Sequence, residues 1–378
     1  MIGNGTYNQP KGTWSDDSTM TFCLAETLLD EEFSLRKLSN RFINWVDWGY
    51  WTPHGELFDI GNTTHSAIDR LRTIEKPELA GGTGVTENGN GSLMRILPLV
   101  LETSKLPISK SWELIENVSS LTHRHIRSII SCYYYLNYAR LLMQGQSKEN
   151  AYEITNKFVS DELKKRSIDS DEIKHFSRLL NGTIQNLEYE GLRGSGYVVH
   201  SLESSIWCLL NSETYKEAVL KAIHLGEDTD TTAAITGGIA ALNFGSNSIP
   251  TEWLEDLVKF EEIKTLANKL TEKYTIKIRL SDVPEIGNVS AANKFAHDFS
   301  GYRSTFKETA KAALDTKKRI EANDTETISV DELAESLFFY FRAVRHGGGD
   351  ADRDLVNTHI ELIKQKLANQ EGMPDDNS

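Results

Sequence analysis

Apolar residues recur at every third or fourth position along most of the chain, and this spacing limits the possible folds more than any other feature. Thr64 and Ser147 precede two of these patterns as N-cap residues, and Gly226 follows another as a C-cap residue. Only the short YTIKIRL at 274–280 alternates as a β-strand would. The sequence therefore predicts an all-α fold, with helices at 18–30, 35–48, 64–75, 111–121, 125–144, 148–165, 197–211, 214–224, 230–243 and 252–274.

The helical pattern breaks at IKIRLSDVPEIGNVS, close to residues 276–290. We therefore expect a first domain over residues 1–275 and a C-terminal extension over 276–378. The extension is again helical and ends in a polar, acidic tail that we expect to be disordered. Its predicted helices lie at 303–320, 330–345 and 352–369.

The composition excludes several classes of protein. The net charge of −14 argues against a nucleic-acid-binding surface, which needs a basic face. No stretch reaches the ~20 apolar residues of a membrane span, and the N-terminus lacks the regions of a signal peptide. Cys23, Cys132 and Cys208 lie in apolar runs, as buried thiols in a reducing compartment do, so we expect a cytoplasmic protein with no membrane partner.

Two short motifs place paired aspartates at the start of predicted helices. They are Ser15-Asp16-Asp17 and Asp228-x-Asp230-Thr231. One interpretation is that each motif caps its helix, because a carboxylate there meets free N–H groups and the positive end of the dipole. The other is a site for two divalent cations, which prefer carboxylate and hydroxyl oxygens. A cap needs one carboxylate per helix, and the second at each position favours the metal site.

Two glycine-rich stretches interrupt the helices, GGTGVTENGNGS at 81–92 and GLRGSG at 191–196. Such composition is typical of loops. It also allows a backbone to approach a phosphate or a sugar closely, because glycine has no side chain in the way. We expect both loops to lie near a ligand.

Five strings follow one another between residues 1 and 275: GTWSDDSTM, GNGSLMRILPL, LTHRH, GSGYVVHSLESSIW and HLGEDTDTTAAITGGIAAL. In order and in spacing they resemble the motifs of the ADP-ribosylglycohydrolases. The resemblance implies an all-α bundle that hydrolyses the bond between ADP-ribose and a protein side chain, arginine above all, or a small conjugate. ADP-ribosylated protein and ADP-ribose are the partners that it implies.

The resemblance also implies a binuclear site with two Mg²⁺ or Mn²⁺ ions. In such enzymes the metals hold the ribose diol and a water, and a carboxylate acts as general acid or base. Here Asp16 or Asp17 would take that catalytic role. The metal ligands would be Ser15, Asp16, Asp17, Asp228, Asp230 and Thr231.

The remaining motifs correspond to the family's ligand-binding loops. Gly89, Asn90, Gly91 and Ser92 would cradle the diphosphate and the distal ribose, with Ser92 opening a helix whose dipole favours the anion. An ordinary Asn-Gly turn is the alternative.

Three further positions match residues close to the ligand. His123 corresponds to a histidine beside the ligand, and Gly194, Gly196 and Tyr197 to a loop at the nucleoside end. A capping or core histidine and a core tyrosine are the alternatives here.

The resemblance lacks one segment. Family members begin with a glycine-rich helix whose glutamate lies at the metal site, whereas this sequence starts shortly before Ser15, and Glu227 is no substitute. The protein could belong to a longer gene product, bind ADP-ribose or neutralise a toxin without turnover, or receive the helix from another chain. Loss of that helix would expose apolar surface and favour a homo-oligomer. Isoprenoid-diphosphate chemistry is disfavoured, because a third aspartate is absent from the first motif.

Overall fold

Helices make up the regular structure of this chain. The computed structural model describes residues 3–274, 280–300, 308–322, 324–347 and 350–371. Within those ranges β-pairing is limited to isolated bridges, such as Gly82 with His123 and Gly89 with Tyr197. The fold is all-α, as predicted. Most of the expected strand at 274–280 lies outside the described residues.

The α-helices are, in chain order, α1 (Asp16–Thr27), α2 (Leu35–Trp48), α3 (Asn62–Leu71), α4 (Val100–Thr103), α5 (Ile108–Ser119), α6 (Ile126–Met143), α7 (Lys148–Lys165), α8 (Ser170–Lys174), α9 (Ser177–Leu180), α10 (Val198–Leu210), α11 (Tyr215–His224), α12 (Thr229–Phe244), α13 (Thr251–Glu255), α14 (Phe260–Tyr274), α15 (Val289–Ser300), α16 (Glu308–Glu321), α17 (Val330–Gly347) and α18 (Arg353–Glu371).

Local capping signals account for several boundaries. The Ser147 hydroxyl accepts a hydrogen bond from Asn150 N, so α7 begins where it was predicted. Gly226 follows α11 with a φ of 77°, which a glycine adopts without strain. The prediction for Thr64 was wrong: α3 begins earlier with Gly61 as its N-cap, and Thr64 is buried inside the helix.

The predicted helix 252–274 is divided into α13 and α14. Between them Val258 N donates to Gly12 O (3.1 Å), and Lys259 takes a left-handed φ of 53°. Val258 N thus bonds to a distant segment and not to a carbonyl within a helix. No local sequence pattern near Val258 predicts this bond. Helix α15 was also not predicted.

The first compact unit, Met1–Tyr274, is built around α6, α10 and α12. Four fully buried tyrosines of α6 fill its centre, and one of them, Tyr135, donates its hydroxyl hydrogen to Ile235 O on α12 (2.8 Å). Helix α12 is rich in small residues, and α1, α6, α10 and α11 all pack against it. At Gly238 a Cβ would lie 2.5 Å from the Leu97 side chain, so the close packing needs glycine there. Burial of each large apolar side chain contributes about 1.5–3 kcal/mol.

The second compact unit, Thr275–Ser378, has an apolar core of its own. Leu333 and Leu337 of α17 pack with Ile360 and Ile363 of α18. His359 is buried beside them, with its Nδ1 2.8 Å from Leu355 O and its Nε2 3.0 Å from the Ser336 hydroxyl.

Cys23, Cys132 and Cys208 are buried free thiols, as predicted. None of the helices in the described ranges combines the length and the apolar character that crossing a membrane requires.

Candidate functional site

Both acidic motifs lie at helix N-termini, but in neither does the N-cap side chain accept a hydrogen bond from the helix backbone. Ser15 is the N-cap residue of α1, and its hydroxyl donates to Asp17 Oδ2 (2.6 Å) instead of accepting from a backbone N–H. Asp228 is the N-cap residue of α12, and its carboxylate also makes no capping bond. Simple capping is therefore not the arrangement that the two motifs adopt.

The packing of α1 against α12 brings the two motifs into one cluster. The Thr231 side chain is close enough to the carboxylates of Asp17 and Asp228 to lower the pKa of both. Residues from the two ends of the first unit's sequence are thus neighbours in the cluster. The structure brings together the residues that were predicted as metal ligands.

The carboxylates of Asp16, Asp17 and Asp228 are shielded from solvent and lie among like charges, and both effects raise their pKa values. Burial, and then the charge of Asp17, raise the pKa of Asp16 well above its usual range. Burial, followed by the charge of Asp230, also raises the pKa of Asp17. The pKa of Asp228 is raised by burial, against hydrogen bonds from Asn90 and Thr231. A positive charge in the cluster would relieve this repulsion.

The side chains fit a divalent cation in chemistry and charge. Asp17 Oδ1 is fully buried and has no hydrogen-bond partner among the described residues. Carboxylate and hydroxyl oxygens are the donors that Mg²⁺ and Mn²⁺ prefer. As they stand, no three His, Cys, Asp or Glu side chains in the described ranges are grouped closely enough to hold one metal ion.

A further carboxylate, which the sequence did not single out, borders the cluster. Asp59 lies between α2 and α3 with a left-handed φ of 52° and accepts a hydrogen bond from the Tyr7 hydroxyl (2.6 Å). Burial raises its pKa, and the charge of Asp230 adds to the effect. Nothing in FDIGN, a lone aspartate in a loop, distinguishes this residue from an ordinary turn former.

The glycine-rich loops are joined to each other and to the acidic cluster. Asn90 N donates to Gly196 O (3.0 Å), and Asp228 N donates to Gly194 O (2.8 Å). The Asn90 amide donates to Asp228 Oδ2 (2.7 Å) and to the Ser201 hydroxyl (2.9 Å). Gly194 is required at its position, because a Cβ there would lie 2.3 Å from Gly226 O.

His123 lies directly behind the loop of residues 89–92. A Cβ on Gly91 would lie 2.7 Å from His123 Cε1, so the glycine makes room for the imidazole. Burial, and then the nearby Arg95 charge, lower the pKa of His123 to about 3. The ring is therefore neutral at physiological pH.

The model of the ADP-ribosylglycohydrolase family matches residues 1–278. The chain belongs to this family. It is 30% identical over 275 residues to ADP-ribosylarginine hydrolase Tri1 of Pseudomonas putida (strain GB-1), covering 72% of this chain and 70% of that protein. It is 29% identical over 271 residues to ADP-ribosylarginine hydrolase Tri1 of Serratia proteamaculans (strain 568), covering 71% of this chain and 70% of that protein. Among solved structures, an ADP-ribosylglycohydrolase-related protein complex matches with a TM-score of 0.60 and 25% identity, covering 73% of this chain and 87% of that chain.

In this member of the family the predicted helix after Ser92 does not form. Asn90–Ser92 is a 3-10 turn, and Ile96 N donates to Leu93 O instead of to Ser92 O. The Ser92 carbonyl accepts from the Arg95 guanidinium (3.5 Å), and its hydroxyl is buried against Ser119 (3.0 Å). The expected helix dipole at Ser92 was thus wrong.

Tyr197 lies at the start of α10, as the family motif implies, and is half-buried. Its hydroxyl is 3.4 Å from His175 Nδ1 and 3.5 Å from an Arg127 guanidinium nitrogen. Its ring makes an edge contact with His200. The tyrosine therefore stands beside the joined loops with its hydroxyl among polar groups, not in the apolar core.

Proposed function

We propose that this protein hydrolyses the glycosidic bond between ADP-ribose and an arginine side chain of a modified protein, with two Mg²⁺ or Mn²⁺ ions. The observation that carries the proposal is that the three predicted motifs containing Asp17, Asn90 and Asp228 lie next to one another. The Asn90 amide donates to Asp228 Oδ2, and the Thr231 side chain lowers the pKa of both Asp228 and Asp17. The similarity to two ADP-ribosylarginine hydrolases supports arginine as the modified residue.

The chain's own residues would bind the ligand as follows. The loop that includes Gly89 and Gly91 would bind the diphosphate, with the neutral His123 behind it. Because Asn90 spans from this loop to Asp228, it fixes the distance between the diphosphate region and the acidic cluster. Tyr197 stands beside the loop, where its ring and hydroxyl would contact the nucleoside.

The acidic residues would hold the metal and handle protons. Ser15, Asp16, Asp17, Asp228, Asp230 and Thr231 supply the oxygen ligands, and when bound the cations offset their charge and lower the pKa of a coordinated water. Asp16 or Asp17 would serve as general acid or base beside that water.

Asp59 gives the site a feature that suits arginine. A guanidinium is a planar cation with paired donors that match a carboxylate. Asp59 is half-buried at the edge of the cluster, and Tyr7 fixes its Oδ1. The Asp59 carboxylate would receive the guanidinium of the modified side chain in place of its contact with Asp230.

The test is incubation of the protein with Mg²⁺ and peptides that are ADP-ribosylated on arginine or on serine. We expect release of ADP-ribose from the arginine peptide, and loss of release in Asp228→Asn. Asp161→Asn, an exposed change on α7, is the control for altered charge. Binding of ADP-ribose by calorimetry without release from either peptide would overturn hydrolysis and leave a binding protein of the same fold.

A further inference from the structure

Arg95 is a fully buried cation without a carboxylate partner. It is 0% exposed, and no ion pair with it occurs within the described ranges. Its guanidinium donates to Val118 O (3.2 Å) and to the Thr122 hydroxyl (2.8 Å), and it lies 5.0 Å from the centre of the Phe42 ring. A buried charge without a counterion costs several kcal/mol, so Arg95 is an unfavourable choice for packing alone.

Thr122 connects this cation to His123. Its hydroxyl oxygen is 2.8 Å from the Arg95 guanidinium and 3.0 Å from His123 Nδ1, and the residue is 0% exposed. A guanidinium can only donate hydrogen bonds, so the threonine oxygen accepts from Arg95. The hydroxyl hydrogen is then free to point to His123 Nδ1, which accepts it when that nitrogen carries no hydrogen.

The opposite arrangement satisfies fewer groups. If His123 Nδ1 carried the hydrogen, the Thr122 oxygen would accept from two donors and its own hydrogen would have no acceptor among the described residues. An unsatisfied buried hydroxyl costs about 1–3 kcal/mol. The neutral His123 is therefore favoured with its hydrogen on Nε2.

Nε2 points towards the loop that faces the ligand. A Cβ on Gly89 would be 3.5 Å from Nε2, and a Cβ on Gly91 would be 3.4 Å from it. No hydrogen bond to this nitrogen occurs within the described part of the chain. We propose that Arg95 and Thr122 are positioning residues that hold His123 in the Nε2–H tautomer, so that Nε2–H donates to ADP-ribose at the loop of residues 89–92.

The hydrogen bond from His123 Nε2–H to ADP-ribose rests on the proposed function, whereas the assignment of the tautomer does not. The first experiment is therefore ¹⁵N NMR of histidine-labelled protein without ligand, between about pH 5 and pH 8. His123→Asn identifies the His123 signals among the 10 histidines. We expect an unprotonated Nδ1 and a protonated Nε2 throughout, in the wild type and in Thr122→Ser. A protonated Nδ1 in the wild type would overturn the proposal.

The second experiment removes the connecting hydroxyl. In Thr122→Val we expect mixed His123 tautomers and ADP-ribose binding weakened about tenfold, the loss of one hydrogen bond. Thr122→Ser should restore both. Thr155→Val is the control: Thr155 is also 0% exposed, but its hydroxyl donates to Ala151 O within α7.

The outcomes separate the two proposals. An unchanged tautomer or unchanged ADP-ribose affinity in Thr122→Val would contradict the positioning role. If the wild type shows the Nε2–H tautomer and binds no ADP-ribose, the proposed function fails and so does the donor role, while the tautomer assignment stands.

Discussion

Asp17 combines a structural disadvantage with a proposed functional role. It is fully buried among like charges, so that burial and then these charges raise its pKa, and the Ser15 hydroxyl donates a hydrogen bond to it. In protein stripped of metal by EDTA, we expect Asp17→Asn to raise the free energy of unfolding by about 1–2 kcal/mol, because a buried repelling charge is removed. With Mg²⁺, the variant should lose at least about 10²-fold in activity and show no metal-induced rise in melting temperature. Thermal unfolding with and without Mg²⁺ measures both effects, and a destabilised metal-free variant would contradict the argument.

Glu203 on α10 makes stability depend on pH outside the acidic cluster. It is 3% exposed and its Oε1 has no partner in the described ranges, so burial raises its pKa from 4.5 to about 7, although Arg178 lies 3.4 Å away. Between pH 4.5 and about pH 7, Glu203 stays protonated in the folded protein but loses its proton in the unfolded chain. The free energy of unfolding therefore falls as pH rises through this range and levels off above it.

The corresponding variant is Glu203→Gln. It should be more stable than the wild type by about 2–3 kcal/mol at about pH 8, and by less than about 1 kcal/mol at about pH 5. Urea unfolding at both pH values is the measurement, with the exposed Glu153→Gln as control. An equal difference at the two pH values would show that Glu203 does not titrate in this range.

Single residues mark the limit of what the sequence predicts about the site. Asp16, Asp17, Asp228 and Asp230 were identified because charged neighbours stand together at helix starts. Asp59 has no such neighbour, and its place beside Asp230 depends on the path of the chain between α2 and α3. The same applies to Arg95 and Thr122, whose contact spans 27 positions and is invisible to local patterns.

Among the elements, the approach of the loop before α10 to the turn before α12 controls the geometry of the cluster. In Gly194→Ala the new Cβ would lie 2.3 Å from Gly226 O and force these segments apart. The bond from Asp228 N to Gly194 O would be lost, and Asp228 would move. We expect activity to fall at least about 10-fold, while stability falls by about 1–3 kcal/mol.

The same stretch contains a matched control for that change. A Cβ on Gly191 meets nothing within 4 Å, so Gly191→Ala should leave turnover and melting temperature close to those of the wild type. Steady-state kinetics and circular dichroism on both variants provide the comparison. Equal turnover in the two alanine variants would show that the contact with Gly226 does not position Asp228.

The bounds of a helix were predictable where its local sequence signals and its tertiary packing favour the same residues. The bounds of α2 and α7 match the predicted ranges because an amphipathic pattern and a serine N-cap specify each one. The division between α13 and α14 accompanies a bond from Val258 to Gly12, a distant contact that periodicity alone does not reveal.

At the scale of the whole molecule, the proposed site and its supporting core lie within Met1–Tyr274. The end of α14 is tied to that unit: Lys273 donates to Leu28 O (2.7 Å) and Asp30 O (2.7 Å), and the Tyr274 hydroxyl donates to Glu102 (2.9 Å). We expect residues 1–274 alone to fold and to keep turnover within about twofold of the full chain, because these bonds stay intact.

A slightly shorter fragment tests whether those bonds matter. Residues 1–272 lack Lys273 and Tyr274, and with the loss of their side-chain hydrogen bonds to Leu28, Asp30 and Glu102 the free energy of unfolding should fall by about 2–3 kcal/mol relative to residues 1–274. Urea unfolding and release of ADP-ribose from an arginine peptide, measured on both fragments and on the full chain, separate the possibilities. If residues 1–274 fold with the stability of the full chain but lose turnover, the second unit takes part in catalysis or substrate binding. If the two fragments are equally stable, the end of α14 does not anchor the first unit.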